Sequence, residues 1–481
     1  MKHPDYEAVI GLEIHCELNT RTKIFCACST AFGAAPNTQV CPVCLGLPGA
    51  LPTLNEKAVE FAVSAGLALD SRVARVSRFD RKNYFYPDLP KAYQITQFFE
   101  PICTGGHLDA ETADGVRRVR ITRIHLEEDA GKLIHTPDGT LADCNRCGVP
   151  LIEIVTEPDL RTGEEAAAFA RKLRSVLVWA GVSDGKLQEG SMRFDVNLSV
   201  RRRGQTALGV RTEMKNLGSF TSVRRAVEAE FDRQCGLLER GEPVFQETRR
   251  FDEKRGVSVL MRRKENADDY RYFPEPDLPP VVVSDALIEA LRADLPRLPD
   301  ARKRFYRETW GLSDFDGEML TSEREAAELF EAAAGLTRYA RLAAQLVIGE
   351  VLQTVDFERE RVRLAPARLA AVADLQGDGE INPQTARQLV RSLCGQDFDP
   401  ADYVRAHGLG RVRDVKTLRE AVEAALSENP KIVSDFLRGK TAAAIALMGQ
   451  VMRKTNGRAD PQTAQTLIAQ ALEAIKDASE S

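Results

Sequence analysis

Five side chains in the first third of the chain, Glu13, His15, Glu127, Glu128 and Glu153, have the types and spacing for metal and phosphate chemistry. Glu13 and His15 stand two apart in the stretch from Val9 to Leu18. There Leu12, Ile14, Cys16 and Leu18 alternate with Glu13, His15 and Glu17. A strand sends successive side chains to opposite faces, so Glu13 and His15 project to the same side. In the stretch from Val119 to Glu128 the same alternation joins His125 with Glu127 and leaves Glu128 at the strand end. From Leu151 onward, Glu153, Val155 and Glu157 share a face. Three acidic strands in one sheet could converge on Mg²⁺, which prefers oxygen ligands and keeps waters when it bridges phosphates. A nearby histidine could serve as ligand or proton carrier. Solvated strand faces would look the same, and spacing leaves both readings open.

Cys26-x-Cys28 and Cys41-x-x-Cys44 are the sharpest local signal. Four thiolates in two closely spaced pairs can close a tetrahedral zinc site. Gly33, Pro36 and Asn37 lie between the pairs in a loop with little apolar content, so zinc would replace the missing core there. Such a site is filled by its own ligands and is structural. Cys144-Asn145-Arg146-Cys147 reads as two small buried residues ahead of a redox pair or half-site. Cys103, Cys235 and Cys394 read as packing residues.

Two lookalikes are rejected. Gly439-Lys440-Thr441 ends like a phosphate loop, but Ser434 stands where the leading glycine is required and no strand precedes it. The segment from Asp374 to Asn382 resembles a calcium loop, yet Gln376 and Thr385 occupy ligand positions. A turn between helices is expected there. No Gly-rich serine pattern or Cys-His nucleophile signature points to amide hydrolysis by this chain.

The elements that must position these residues form an α+β fold. Met192 to Val200 alternates cleanly, and Val210, Thr212 and Met214 oppose Arg211, Glu213 and Lys215. Strands apolar on one face and polar on the other suit a mainly antiparallel sheet with one working surface. Gly163 to Ala180 reads as an amphipathic helix closed by Gly181, and Ser219 or Thr221 caps another that ends near Gly241. Pro274, Pro276, Pro279 and Pro280 then punctuate the chain, and Ala/Leu/Glu/Arg helices follow. The expected division is a cradle domain over 1–294, an all-α domain over 295–407 and a small all-α tail over 408–481.

At 481 residues the chain is too long for one core. Its 43% hydrophobic and 28% charged residues are ordinary for a soluble protein. The start carries neither a signal-peptide core nor transit character, and no apolar run reaches membrane-spanning length, so a cytoplasmic location is expected. Ten cysteines there imply thiols or metal ligands rather than disulfides. A net charge of −5 argues against general polyanion affinity. From Gly408 onward, however, Lys and Arg outnumber Asp and Glu, which concentrates any nucleic-acid contact in the tail.

Several segments taken together resemble the GatB family, the B subunits of bacterial aspartyl/glutamyl-tRNA(Asn/Gln) amidotransferases. They are Val9-Ile10-Gly11-Leu12-Glu13-Ile14-His15, Tyr84-Phe85-Tyr86-Pro87-Asp88-Leu89-Pro90-Lys91 and His125-Leu126-Glu127-Glu128-Asp129-Ala130-Gly131-Lys132. Gly148 to Asp159, Thr212 to Leu217, Tyr270 to Asp277, Gly439-Lys440 and Gly449 to Thr455 continue the likeness in the same order to the tail.

The resemblance implies a glutamine-synthetase-like cradle that phosphorylates the side-chain carboxylate of Glu or Asp mischarged on tRNA(Gln) or tRNA(Asn). Ammonia then displaces the phosphate. It implies ATP and Mg²⁺, with Glu13, His15, Glu127, Glu128 and Glu153 holding the metal against the phosphates. Lys91, Arg193 and Lys215 become candidates for phosphate contacts, and Tyr84, Tyr86 and Phe194 for packing against a base. An amidase A subunit supplies the ammonia and a small C subunit ties the heterotrimer together, with no membrane involved. Arg438, Lys440, Arg453, Lys454 and Arg458 would contact tRNA phosphates. Cys144 and Cys147 depart from the family's Asp-x-Asn-Arg-x-Gly pattern. The zinc pairs are not universal in the family, so zinc is not essential to its chemistry. Two rival readings are a tRNA-holding scaffold with inert acidic strands and a small-molecule carboxylate–amine ligase, against which the helical tail argues.

Overall fold

The computed structural model describes residues 3–263, 270–357, 361–438 and 442–480. Contacts divide the chain into two compact units, one ending at Leu298 and the other beginning at Pro299.

The first unit is built on a ten-stranded sheet of the described residues. Its order is Val257–Arg263, Glu247–Asp252, Thr212–Leu217, Met192–Arg202, Tyr6–Glu17, Pro150–Thr156, Gly115–Glu128, Cys103–Thr104 and Arg72–Val73. His107–Thr112 also pairs with Gly115–Glu128. The pairings are antiparallel except for Thr212–Leu217 beside Glu247–Asp252. A parallel pair needs a crossover, and the helix Phe220–Glu239 supplies it.

Tyr6–Glu17 lies in the middle because one of its faces is fully apolar: Ile10, Leu12, Ile14 and Cys16 are all buried. Glu56–Ala68, Gly163–Trp179 and Phe220–Glu239 belong to the same core as that face. Each Leu or Ile buried there contributes roughly 1.5–3 kcal/mol relative to exposure. Thr162 caps the second helix by accepting from the Glu165 amide, and Ser219 caps the third by accepting from the Ser222 amide. Such caps are worth about 1 kcal/mol. Gly181 ends the second helix at a φ of 72°, where a side chain would be strained. With one face of the sheet sealed, its polar residues have only the other.

A small sheet of Asp80–Asn83, Tyr93–Thr96 and Phe273–Pro274 meets the end of Gly115–Glu128. There the Ile95 amide donates to Glu128 Oε1 at 2.9 Å.

The described residues of the second unit are helical, apart from an isolated bridge between Val412 and Ala459. Prolines at the first turn of Pro366–Gly377, Pro383–Gly395, Pro400–Ala406 and Pro430–Leu437 set the helix starts, where a missing N–H costs nothing. Asn382 caps the second of these, so the calcium-loop lookalike is a turn between helices. Buried apolar residues of this unit form two clusters, one from Tyr306 to Val404 and one from Leu418 to Leu472. No helix of the described residues is long and apolar enough to cross a membrane.

Candidate active site

Strand register assembles the polar face. His15 faces Glu153 and Glu153 faces His125 across three antiparallel strands. One rung away, Glu13 faces Asp195, and Asn197 faces Glu213. Directly opposed residues share a face with Cβ atoms roughly 4.5–5.5 Å apart. The result is a continuous acidic band rather than scattered carboxylates.

His15 Nε2 lies 3.3 Å from Glu153 Oε2, and His125 Nε2 lies 3.2 Å from Glu127 Oε1. The ligand atoms of His15, Glu127 and Glu153 all fall within 4.8 Å of one another, and so do those of Glu13, Asp195 and Glu213. Five of these six residues line one cavity of 180 Å³, with Lys82, Thr96, Phe98, Arg123, Lys215 and Tyr272 among its other walls. The carboxylates are held in place. Glu127 accepts from Thr96 Oγ1 at 2.8 Å and from Gln94 Nε2 at 3.1 Å, and Glu13 accepts from Asn197 Nδ2 at 2.8 Å. Lys215 Nζ bridges Asp195 at 2.9 Å and Glu213 at 2.7 Å.

The charges strain against one another. Burial, followed by repulsion from Glu153 and Glu213, raises the Glu13 carboxyl above its usual range. Burial pulls the His15 imidazolium down, but the hydrogen bond and charge of Glu153, with Asp195 and Glu127 beyond, lift it to about 9. Burial would raise Glu153, yet His125 and His15 hold it well below the carboxylate range. Crowded oxygen donors with imidazole nitrogens suit a hard divalent cation, whose charge would relieve that repulsion. His125 Nδ1 is buried without a hydrogen-bond partner, an orphan of the kind that marks a ligand or water position. The donor set therefore fits Mg²⁺.

The sequence-predicted residues separate on this frame. Glu13, His15, Glu127 and Glu153 come together. Glu128 is brought to neither triad: it pairs with Lys91, accepts from the Ile95 amide, and lines a second cavity of 240 Å³. Adjacent strand residues point to opposite faces, which separates Glu128 from Glu127. Lys91 is tied up with Glu128, and Arg193 donates to Asp129 at 2.8 Å, so of the three proposed phosphate cations only Lys215 reaches the acidic cavity. Phe194 is fully buried on the helix-covered face and offers no surface to a base. The Tyr84 ring meets Tyr270 edge-on at 6.0 Å, and Tyr86 is exposed. Asp195, Glu213, His125, Lys82 and Arg123 were not selected from sequence. Alternation already put Asp195 and Glu213 on polar faces, but only register brings them to Glu13.

A carboxyl pair borders the band. Glu17 is raised to about 8, first by burial and then by the charge and hydrogen bond of Asp129. Asp129 stays low because Arg193 and Arg146 outweigh its burial. Between the ordinary value of 4.5 and about 8, folded Glu17 keeps a proton that the unfolded chain has lost. Stability from this group is therefore full below 4.5 and lost as pH rises through about 8. Glu17→Gln is expected to flatten the fall of melting temperature over that window in a pH series; an unchanged slope would refute the pairing.

The sulfurs of Cys26, Cys28, Cys41 and Cys44 lie within 4.8 Å of one another. The Cys26 hydrogen bond, aided by Lys23, holds the Cys44 thiol down to about 4 despite burial, whereas burial pushes Cys28 up to about 11. Lys23 is wholly buried, with Nζ 3.5 Å from Cys44 Sγ. Four converging soft donors next to a buried cation could hold zinc. The Cys144–Cys147 turn clasps this loop: Asn37 accepts from the Cys144 amide at 2.7 Å, and Asn145 Nδ2 donates to the Ala35 carbonyl at 2.7 Å. Both thiols are buried, and burial raises that of Cys147, as suits packing residues.

In the tail, Arg438 and Arg453 are exposed. Lys454 pairs with Glu428 at 2.6 Å, and Arg458 donates to the Gly408 carbonyl. Lys440, with Gly439 and Thr441, lies outside the described residues.

Comparison with known proteins gives consistent matches along the chain. Residues 8–289 match the family described as the GatB/GatE catalytic domain, and residues 328–472 match the GatB domain. A Caldicellulosiruptor saccharolyticus protein, named as the B subunit of aspartyl/glutamyl-tRNA(Asn/Gln) amidotransferase, is 49% identical over 479 residues, covering 98% of this chain and 100% of its own. Proteins of the same name from Agathobacter rectalis and a Synechococcus strain are 46% and 47% identical. They cover 97% and 96% of this chain and 100% and 97% of their own.

Proposed function

Because this chain belongs to the GatB/GatE family, we propose that it is the B subunit of a glutamine-hydrolysing aspartyl/glutamyl-tRNA amidotransferase. In this reading it uses ATP to phosphorylate the side-chain carboxylate of Glu or Asp mischarged on tRNA(Gln) or tRNA(Asn). It then lets ammonia replace the phosphate. The observation that carries the reading is the register-matched acidic band on the open face of the catalytic-domain sheet.

A carboxylate is a poor electrophile at neutral pH, and phosphorylation gives it a leaving group. His15, Glu127 and Glu153, with Glu13, Asp195 and Glu213 beside them, would hold Mg²⁺. When bound, the metal supplies charge to screen the phosphates. Thr96, Gln94 and Asn197 fix the rotamers of Glu127 and Glu13, so little reorganisation accompanies binding. Lys215 keeps Asp195 and Glu213 aligned without consuming Glu13. Ammonia would come from a partner amidase subunit, with a small third subunit completing the assembly in the cytoplasm. Zinc on the four cysteines would be structural. Residues 408–481 would form the tRNA-binding tail, with Arg438 and Arg453 free to meet phosphates.

The test is a transamidation assay of the complex reconstituted with an amidase partner, on Glu-tRNA(Gln) and Asp-tRNA(Asn). Formation of Gln-tRNA or Asn-tRNA that depends on ATP is expected. ATP hydrolysis stimulated by free glutamate but not by charged tRNA would replace this reading with a small-molecule ligase.

A further inference from the structure

Among the described residues, three cations that line the acidic cavity form no ion pair, Lys82, Arg123 and Arg262, and the first two of these lie against aromatic rings. Lys82 projects from Asp80–Asn83, the middle strand of the small sheet, and lines the cavity. Its Nζ sits over the rings of Tyr270 at 5.1 Å and Tyr84 at 5.8 Å, and no ion pair forms with it among the described residues. Arg123 rises from the floor, two residues before His125 on the same strand and therefore on the same face. Its guanidinium carbon lies 5.6 Å from the Phe98 ring, and its Nε is buried with no hydrogen-bond partner. Phe98 is stacked on Tyr272 at 4.0 Å and 10°. Lys91, Arg193 and Lys215, by contrast, are all paired.

Carboxylates surround this cavity, so a long flexible lysine would ordinarily settle onto one of them. The aromatic rings give Lys82 a cation–π seat, worth about 0.5–2 kcal/mol according to how dry the site is, while Glu127 and Glu153 attract its charge without forming an ion pair. Arg123 keeps a buried donor without an acceptor, and orphaned donors are costly unless a ligand satisfies them. Together they put two positive side chains in the same cavity as the metal-binding carboxylates, a lining that suits a multiply anionic group carrying a metal.

We propose that Lys82 and Arg123 bind the transferring phosphoryl group: the terminal phosphate of the nucleoside triphosphate, then the same phosphorus on the acyl phosphate. This assignment rests on the carboxylate-phosphorylating function proposed above. In the first step a side-chain carboxylate oxygen forms the new O–P bond while the bond from phosphorus to the β–γ bridging oxygen breaks, and ADP leaves with that electron pair. In the second, ammonia nitrogen bonds to the acyl carbon, the C–O bond to phosphate breaks, and one N–H proton departs on the phosphate. Through both steps the phosphoryl oxygens stay anionic, so one fixed pair of cations serves them throughout.

Affinity for a non-hydrolysable ATP analogue and for ADP, measured by calorimetry with Mg²⁺ on the full complex, tests the assignment. Lys82→Met and Arg123→Met are each expected to weaken the triphosphate at least about tenfold and leave ADP within about twofold, since the contact is to the terminal phosphate. The kcat for charged-tRNA-dependent ATP hydrolysis should fall by about 10²-fold, with partial rescue in Lys82→Arg. Equal affinities for the triphosphate in wild type and both variants would overturn the assignment. So would equal losses for ATP analogue and ADP, or a rise confined to the KM for aminoacyl-tRNA. Arg123→Lys, which keeps the charge and loses Nε, is the second variant if a methionine variant folds poorly; wild-type triphosphate affinity there also overturns the role of Arg123. A wild-type complex that binds no ATP analogue would instead refute the proposed function itself.

Discussion

Glu153→Gln is expected to lower ATP-dependent amidation of charged tRNA by about 10²–10³-fold and to lower the melting temperature as well. Glu153 is the hub of the acidic band: His15 Nε2 lies at 3.3 Å and His125 Nε2 at 3.9 Å, and its charge raises the Glu13 carboxyl. Glutamine keeps the shape and removes the charge. Repulsion with Glu13 then falls, but the attraction of His15 and His125 that holds the Glu153 carboxyl down is lost, and a metal site loses an anionic ligand. Activity should be measured against Mg²⁺ concentration, with Glu128→Gln in parallel. The Glu153 variant should need much more Mg²⁺, and the Glu128 variant should not, because Glu128 pairs with Lys91 outside both triads. Wild-type activity in Glu153→Gln would mean that the acidic strands are an inert scaffold.

The second large effect concerns the four cysteines. Purified protein is expected to carry one zinc per chain, and Cys44→Ser or a strong chelator to remove it. Structural zinc sites contribute on the order of 10 kcal/mol of binding at neutral pH, although only a locally ordered loop depends on this one. A loss of several kcal/mol, at roughly 2–4 °C per kcal/mol for a unit of this size, would show in the melting curve. The damage should reach beyond the cysteines. Asn37 and Asn145 tie the loop to the 142–147 turn, and the Ile24 amide donates to the Gly148 carbonyl just before Pro150–Thr156 begins. Proteolysis should therefore open both segments together. Metal-free protein with the same melting temperature as the metal-replete form would overturn the structural role.

The two-faced strands were legible in the amino-acid order alone. Leu12, Ile14 and Cys16 against Glu13 and His15 is a local pattern, and local sterics send alternate side chains to opposite sides whatever lies beyond. The helix cap at Ser219, which Thr221 rivalled in sequence, and the cysteine cluster depend on neighbours within a few residues or a short loop, and were legible for the same reason. Even the separation of Glu127 from Glu128 is implicit in alternation, although a shared motif invites treating them as one pair.

Which residues meet was settled by folding. Asp195 and Glu213 join Glu13 because Met192–Arg202 pairs with Tyr6–Glu17 in one register, and a slip of a single residue would send them to the core face. The partners of the cations are equally non-local: Lys91 finds Glu128 and Arg193 finds Asp129, while Lys82 and Arg123 lie against rings without forming an ion pair. Charge type can be read from sequence. Whether a charge is already spent depends on atoms brought close by folding, because an ion pair forms over a few ångströms between residues dozens of positions apart.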